Sequence, residues 1–349
     1  MEQQFYTLEK PFLLESGESV KDVRIGYHTY GTKKDNNVVW VCHALTANSN
    51  SPQWWPGITG EAGVFNPEEH YIVSANIFGS CYGTTGPLDI NPETGSPYYY
   101  EFPEFTLRDI VRLHNELRKH LGIEKIHVCI GGSCGGNQVL EFALIEPDLI
   151  ENIVVLAASA RETAWSIAVH ETQRMAISMD KTWGEKQDRA GVDGMKTARG
   201  IGLLTYRTQE AYIENQTDED NDKITGFKAS SYIQYQGEKL AKRFNAFSYW
   251  FLINALDTHN VGRGRGSIEV ALNQIKSKAL IIGIDTDILI PVNEQKFLAE
   301  HIPAAHFCEI QSPYGHDGFL IEQEKISIAI KKFLNDGFQS ISKSSYALC

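Results

Sequence analysis

Short runs of β-branched and aliphatic residues recur along the chain, separated by longer amphipathic stretches. Val38 to Cys42, Tyr71 to Ile77, Ile126 to Ile130, Ile153 to Leu156 and Ala279 to Ile284 are apolar at most positions. A strand with one wet face alternates between apolar and polar residues. A strand that stays apolar is covered on both faces, the condition of a parallel sheet flanked by crossover helices. His306 to Ile310 alternates and is read as an edge strand. From Thr106 to Leu121, residues Leu107, Ile110, Val111, Leu113, Leu117 and Leu121 fall on one broad face, which predicts an amphipathic helix. The opening 35 residues read as β-ribbon, with Phe12 to Leu14 and Val23 to Tyr30 as its strands.

After Ala158 the texture changes. Apolar residues recur at helical spacing, polar residues dominate, and strand-like runs stop until about Ile268. The pattern predicts an α/β core of mostly parallel sheet with helices on both faces, built from residues 1–160 and 269–349. Residues 161–268 are expected to form an inserted helical cap. The acidic run Asp218-Glu219-Asp220-Asn221-Asp222 within it reads as a solvated loop.

Composition narrows the partners. The chain has 349 residues and a formal net charge of -12 at pH 7, so no basic stripe is expected to hold nucleic acid. An anionic substrate must instead be held by local positive charge against the overall field. The start, MEQQFYTLEKPF, lacks a basic segment followed by an apolar one, so no signal peptide is expected. No run reaches the roughly 18 apolar residues of a membrane span, and the chain reads as cytoplasmic. Six cysteines (Cys42, Cys81, Cys129, Cys134, Cys308 and Cys349) form no C-x-x-C pair, which argues against zinc and thioredoxin-like sites. Cys42, Cys129 and Cys308 lie in apolar runs, where a thiol behaves as a small buried hydrophobe.

The strongest chemical signal is Gly131-Gly132-Ser133-Cys134-Gly135-Gly136, between the strand ending at Ile130 and a helix predicted over Asn137 to Ile145. It fits G-x-S-x-G, a sharp strand-to-helix turn that lifts a serine hydroxyl above the sheet and needs small neighbours. The helix N-terminus offers free N–H groups to a developing oxyanion. Serine is a weak nucleophile unless a base and an orienting acid assist it. In this fold they follow in the order acid, then histidine. Asp285 and Asp287 both follow the strand ending at Ile284, and either suits the acid. His316 lies in a turn after the last strand, Ser312-Pro313-Tyr314-Gly315-His316-Asp317-Gly318-Phe319, and is read as the base. The loop after Val38 to Cys42 places the backbone N–H of Leu45 as an oxyanion donor. His43 beside it is read as neither ligand nor catalyst.

These pieces resemble the homoserine O-acetyltransferase family over nearly the whole chain. The markers are Cys42-His43-Ala44-Leu45-Thr46, Trp54-Trp55-Pro56-Gly57, the run GSCYGTTGP over residues 79–87, and the GGSCGG turn itself. They continue with Glu171-Thr172-Gln173-Arg174-Met175-Ala176-Ile177, Leu204-Thr205-Tyr206-Arg207 and Gly315-His316-Asp317-Gly318-Phe319-Leu320. The resemblance implies a ping-pong transfer in which Ser133 takes an acyl group from acyl-CoA and passes it to an amino-acid hydroxyl. Its Asp-x-Leu-x-Pro pattern matches Asp287-Ile288-Leu289-Ile290-Pro291, which selects Asp287 as the acid and leaves Asp285 as a turn residue. It also implies that the Cys134 backbone N–H serves the oxyanion, that Arg174 holds the acceptor's carboxylate, and that Asp317 holds its ammonium. Two departures bear on the substrate: Cys134 and Asn137 stand where the family usually has methionine. A Gly-x-Tyr segment whose tyrosine approaches the acceptor in the family has no match after Ile177.

The expected activity is therefore acyl transfer to L-homoserine, acetyl first and succinyl second, with serine as an alternative acceptor. A serine esterase is the alternative from another class, and a silent interaction protein is the third. Acyl-CoA enters as co-substrate; no permanent cofactor or metal is expected. Apolar residues on more than one face of the predicted cap suggest a homodimer through it.

Overall fold

The computed structural model describes residues 2–335 and the backbone of residues 347–348. The strands are β1 (Gln4–Thr7), β2 (Phe12–Leu13), β3 (Ser19–Val20), β4 (Arg24–Tyr30), β5 (Val38–Cys42), β6 (Tyr71–Ala75), β7 (Ile126–Gly132), β8 (Ile150–Leu156), β9 (Lys278–Ile284), β10 (Ala305–Ile310) and β11 (Ala347–Leu348). Nine of them form one sheet in the order β1-β4-β6-β5-β7-β8-β9-β10-β11, while β2 and β3 pair separately. β1 and β4 are antiparallel to their neighbours, and every pairing from β6 onward is parallel.

The apolar runs become strands because both faces are buried. Val39 and Val41 enter the core on one face, with Val128, Ile130, Val154 and Leu156. Trp40, Cys129, Ile153 and Val155 enter the core on the other. Each such side chain contributes about 1.5–3 kcal/mol through the apolar surface it removes from water. The helix predicted at Thr106 is α1 (Leu107–His120), started by a capping box between Thr106 and Asp109. Helix α2 (Cys134–Ile145) follows β7 directly.

Between β8 and β9 the described residues carry helices and no strand. The larger ones are α3 (Ala164–Ser178), α4 (Val192–Tyr206), α5 (Gln209–Gln216), α6 (Lys228–Ala241) and α7 (Ala246–Asp257). The acidic run lies in the loop between α5 and α6, where Asp218 pairs with Lys223. After β9 come α8 (Val292–His301) and, past β10, α9 (Gln323–Asn335).

Two details correct the sequence reading. β10 is not the outermost strand, because Cys308 and Glu309 pair with Ala347 and Leu348 of β11. Two residues are too short a strand to show in a periodicity. Cys308 is disulfide-bonded rather than a free thiol, whereas Cys42 and Cys129 are buried and free. Cys349 lies outside the described residues. No helix among them is long and apolar enough to cross a membrane.

Candidate active site

The chain runs outward from β5 in both directions, to β6 on one side and β7 on the other. At such a reversal the loops leaving the two strands part and open a crevice at their C-terminal ends. The loop after β5 carries Leu45, and the turn after β7 carries Ser133.

Ser133 sits at φ 55°, ψ -128°, a strained conformation that costs on the order of 1–3 kcal/mol. The turn is tight enough to exclude side chains around it. A Cβ on Gly135 would lie 2.1 Å from the carbonyl oxygen of Cys42, and one on Gly132 would lie 2.3 Å from the Phe319 ring. The Ser133 N–H donates to the Leu156 carbonyl at 2.9 Å, which ties the turn to β8.

His316 reaches the serine from a short 3₁₀ turn after β10. Its Nε2 lies 2.8 Å from Ser133 Oγ and its Nδ1 lies 2.6 Å from Asp287 Oδ2. The carboxylate holds the imidazole proton on Nδ1, leaving Nε2 to accept from the hydroxyl. The other oxygen of Asp287 accepts from the N–H groups of Leu289 and Ile290, both at 2.9 Å, so the carboxylate cannot swing. Burial pulls the His316 pKa down. The Asp287 charge and hydrogen bond, with the charges of Asp317 and Glu162, outweigh it, so the net shift is upward. Asp285 does different work: its Oδ1 accepts from the N–H of Ser312 at 2.9 Å and braces the histidine loop.

Leu45 and Cys134 line the cavity at Ser133, and neither backbone N–H donates to another group among the described residues. Two free donors flanking the nucleophile are what a developing oxyanion requires. His43 holds the loop behind Leu45. Its Nδ1 donates to the Ala44 carbonyl at 2.8 Å and its Nε2 accepts from the Ile77 N–H at 3.2 Å. Burial pushes its pKa down to about 4, so it stays neutral. The Cys134 thiol is likewise buried, pushed up to about 12, and unreactive.

The crevice has two lobes. An open one of about 620 Å³ is lined by Leu45, Trp54, Tyr82, Ser133, Arg199, Tyr206, Lys239, Arg243, His316 and Asp317. A smaller one, of about 30 Å³, is lined by Leu45, Ser133, Cys134, Glu162, Ser166, His170, Tyr206, Leu256, Leu289 and Ile290. Asp317 faces the open lobe while its Oδ2 accepts from Arg207 Nε at 3.0 Å.

Arg174 does not reach either lobe, contrary to the role the resemblance implies. Its Nε and Nη2 donate to Glu171 at 2.9 and 2.7 Å, and Nη2 also lies 2.7 Å from Asp257 Oδ2. Its remaining nitrogen, Nη1, has no partner and no exposed surface. With its guanidinium engaged by two carboxylates and only 8% exposed, Arg174 is not among the residues lining either lobe. Arg199 replaces it geometrically. It lines the open lobe, its guanidinium lies 5.6 Å from the Tyr206 ring centroid, and it forms no ion pair among the described residues.

Sequence reasoning missed Arg199, Tyr206, Lys239 and Arg243. One signal was available. Arg199 and Tyr206 are seven residues apart, two turns along α4, and so share one face. Tyr206, already within a quoted marker, stands 5.8 Å from His316, ring to ring. Arg243 donates to the Thr46 carbonyl and the Tyr82 hydroxyl, both at 2.5 Å.

A parallel sheet with Ser133, His316 and Asp287 hydrogen-bonded in series at its C-terminal edge defines the α/β-hydrolase fold, and the family model described by that name matches residues 37–323. Within that class the chain belongs to the homoserine O-acetyltransferase family. It is 48% identical over 335 residues to the homoserine O-acetyltransferase of Cyclobacterium marinum, covering 95% of each chain. Among solved structures, the homoserine O-acetyltransferase of Staphylococcus aureus superposes with a TM-score of 0.81 at 29% identity, covering 97% of both chains. The esterase E22 superposes with a TM-score of 0.88 at 23% identity, covering 96% of this chain and all of that one. The esterase likeness speaks to the fold alone.

Proposed function

We propose that the chain transfers an acyl group, acetyl in the first instance, from acyl-CoA to the hydroxyl of L-homoserine through an ester on Ser133. The observation that carries this reading is the Asp287–His316–Ser133 series opening onto a cavity that holds both a free arginine and an aspartate. In the first half-reaction Ser133 Oγ attacks the thioester carbonyl as His316 Nε2 takes its proton. The oxyanion is met by the N–H groups of Leu45 and Cys134. Collapse expels CoA sulfur, which leaves with the proton from His316. In the second half-reaction the homoserine hydroxyl gives its proton to His316 and attacks the acyl-serine, and collapse expels Ser133 Oγ, which takes that proton back from His316 as the O-acyl product is freed.

Arg199 suits the acceptor's carboxylate and Asp317 its ammonium, which together separate transfer from plain hydrolysis. A planar guanidinium matches a carboxylate in two parallel hydrogen bonds. Lys239 and Arg243 at the same lobe supply local positive charge for the phosphates of CoA, against the net charge of -12. The helices within residues 161–268 act as a cap on the core formed by residues 1–160 and 269–349. Nine of the seventeen large exposed apolar side chains among the described residues lie on that cap, Met175, Met179 and Ile224 among them. Those side chains support a homodimer through the cap, which sedimentation measures directly. The cytoplasm, where acyl-CoA is available, is the compartment this reaction needs.

The test is intact mass after mixing with acetyl-CoA or succinyl-CoA, then with homoserine or serine. An acetyl adduct that homoserine discharges faster than water supports transfer. An adduct lost at one rate with or without an acceptor makes the protein an esterase. The Ser133→Ala variant is expected to form no adduct, and a normal adduct in it removes Ser133 from the mechanism.

A further inference from the structure

The lining of the smaller lobe at the nucleophile includes a carboxyl group for which the transfer mechanism has no use. Glu162, Ser166 and His170 line it together with Leu45, Ser133 and Cys134, and Tyr206, Leu256, Leu289 and Ile290 complete its wall. Leu45 and Ser133 line both lobes and Cys134 lines only this one of the two; on the transferase reading the open lobe takes CoA and the acceptor, which leaves this one for the acyl substituent on Ser133. It is far narrower than the open lobe, about 30 Å³ against about 620 Å³.

We propose that Glu162 is the end wall of the acyl chamber and restricts the acyl group to two carbons by its length. This deepens the transferase reading by naming the acyl class, and it rests on Ser133 as the acylated residue. Three observations make the wall rigid. Glu162 is only 8% exposed, and its Oε1 accepts from Asn137 Nδ2 at 3.2 Å. Asn137 is fully buried in the first turn of α2, and its own oxygen accepts from the Ser159 N–H at 3.3 Å. Beside Glu162, His170 Nδ1 lies 2.7 Å from Asp257 Oδ1, and Asp257 Oδ2 lies 2.7 Å from Arg174 Nη2. Arg174 thus anchors the charge that orients His170, and one side of the chamber is backed by a chain of largely buried polar groups. Pushing a methylene into it would break hydrogen bonds with no water to replace them.

The consequence reads out in the chain length of the acyl donor. Acylation of Ser133 by p-nitrophenyl acetate, propionate and butyrate releases a coloured burst and needs no CoA. For the full-length wild type the burst rate is expected to fall by about tenfold or more for each added methylene. Glu162→Ala is expected to flatten the series, raising propionate and butyrate relative to acetate by about tenfold or more. Glu162→Gln, of equal length, is expected to retain the wild-type order whatever its absolute rate. Glu162→Asp retracts the same carboxyl by one methylene and is expected to admit propionate, which keeps the question answerable if the alanine variant does not fold. A flat wild-type series overturns the proposal, as does an unchanged series in both shortened variants. A glutamine variant as permissive as alanine also overturns it, since charge rather than length would then be selecting. Normal bursts combined with no adduct from acetyl-CoA would instead sink the transferase reading and leave this one standing.

Discussion

Strands β5 to β10 and the helices between β8 and β9 meet at the same crevice but are built by different rules. The strands are apolar on both faces, and their short outgoing loops are pinned by backbone hydrogen bonds: Ser133 to Leu156, Asp285 to Ile310. The helices carry buried polar groups instead, among them Gln173, Arg174, His170 and Glu162 just before them. The groups that react ride on the strand ends, where a fraction of an ångström matters and packing prevents drift. Two of the groups proposed to choose the acyl chain and the acceptor, Glu162 and Arg199, ride on or beside the helices, while Asp317 shares the histidine loop with His316. On that reading the sheet holds the chemistry, and selection is divided between the insertion and the histidine loop.

That division breaks most visibly at the acid. Asp287→Asn is expected to lower kcat by about 10⁴-fold, because the histidine loses the partner that fixes its tautomer. Asp285→Asn keeps an acceptor for the Ser312 N–H and only weakens a brace on the histidine loop, so its kcat is expected to stay within about tenfold of wild type, the order of one hydrogen bond. Equal losses would mean that bracing, not proton placement, limits the rate.

A smaller effect contrasts two arginines of the insertion. Arg199→Ala is expected to cost about 2–5 kcal/mol in kcat/KM for transfer to homoserine while loading by acetyl-CoA persists. Arg174→Ala leaves the half-buried Asp257 with His170 as its remaining partner, and is expected to cost about 1–3 kcal/mol of folding stability in denaturant titration. If the two variants exchange phenotypes, the assignment of the open lobe is wrong.

The smallest effect concerns pH. The base must be neutral to act, so loading falls as pH drops through the His316 pKa. Since that pKa is raised above the ordinary 6.5, mainly by Asp287 working against burial, the acid limb of the loading profile is expected above pH 6.5. In Asp287→Asn the residual activity is expected to have its limb shifted to lower pH. A limb unmoved by that substitution would mean that another group controls the profile.

What the sequence by itself determined was everything with a short range. A run apolar on every position becomes a strand covered on both faces. Small residues on each side of Ser133 announce a turn whose geometry admits nothing larger, and the acid and base follow in the order the fold imposes. Arg174 and Arg199 mark the boundary of that reasoning. Both are arginines on helices of the insertion. Glu171, one turn before Arg174, and Tyr206, two turns after Arg199, are local hints. What decides between them is Asp257, 83 residues from Arg174 in the chain, which meets one guanidinium and not the other. Glu162 is the same case: its neighbours in sequence read as the start of a helical segment, and only folding buries it at a cavity that Ser133 also lines. Periodicity reports which face of an element is buried. Which charge is neutralised, and which is left facing a substrate, depends on partners brought together from distant segments, and that was decided by the tertiary structure alone.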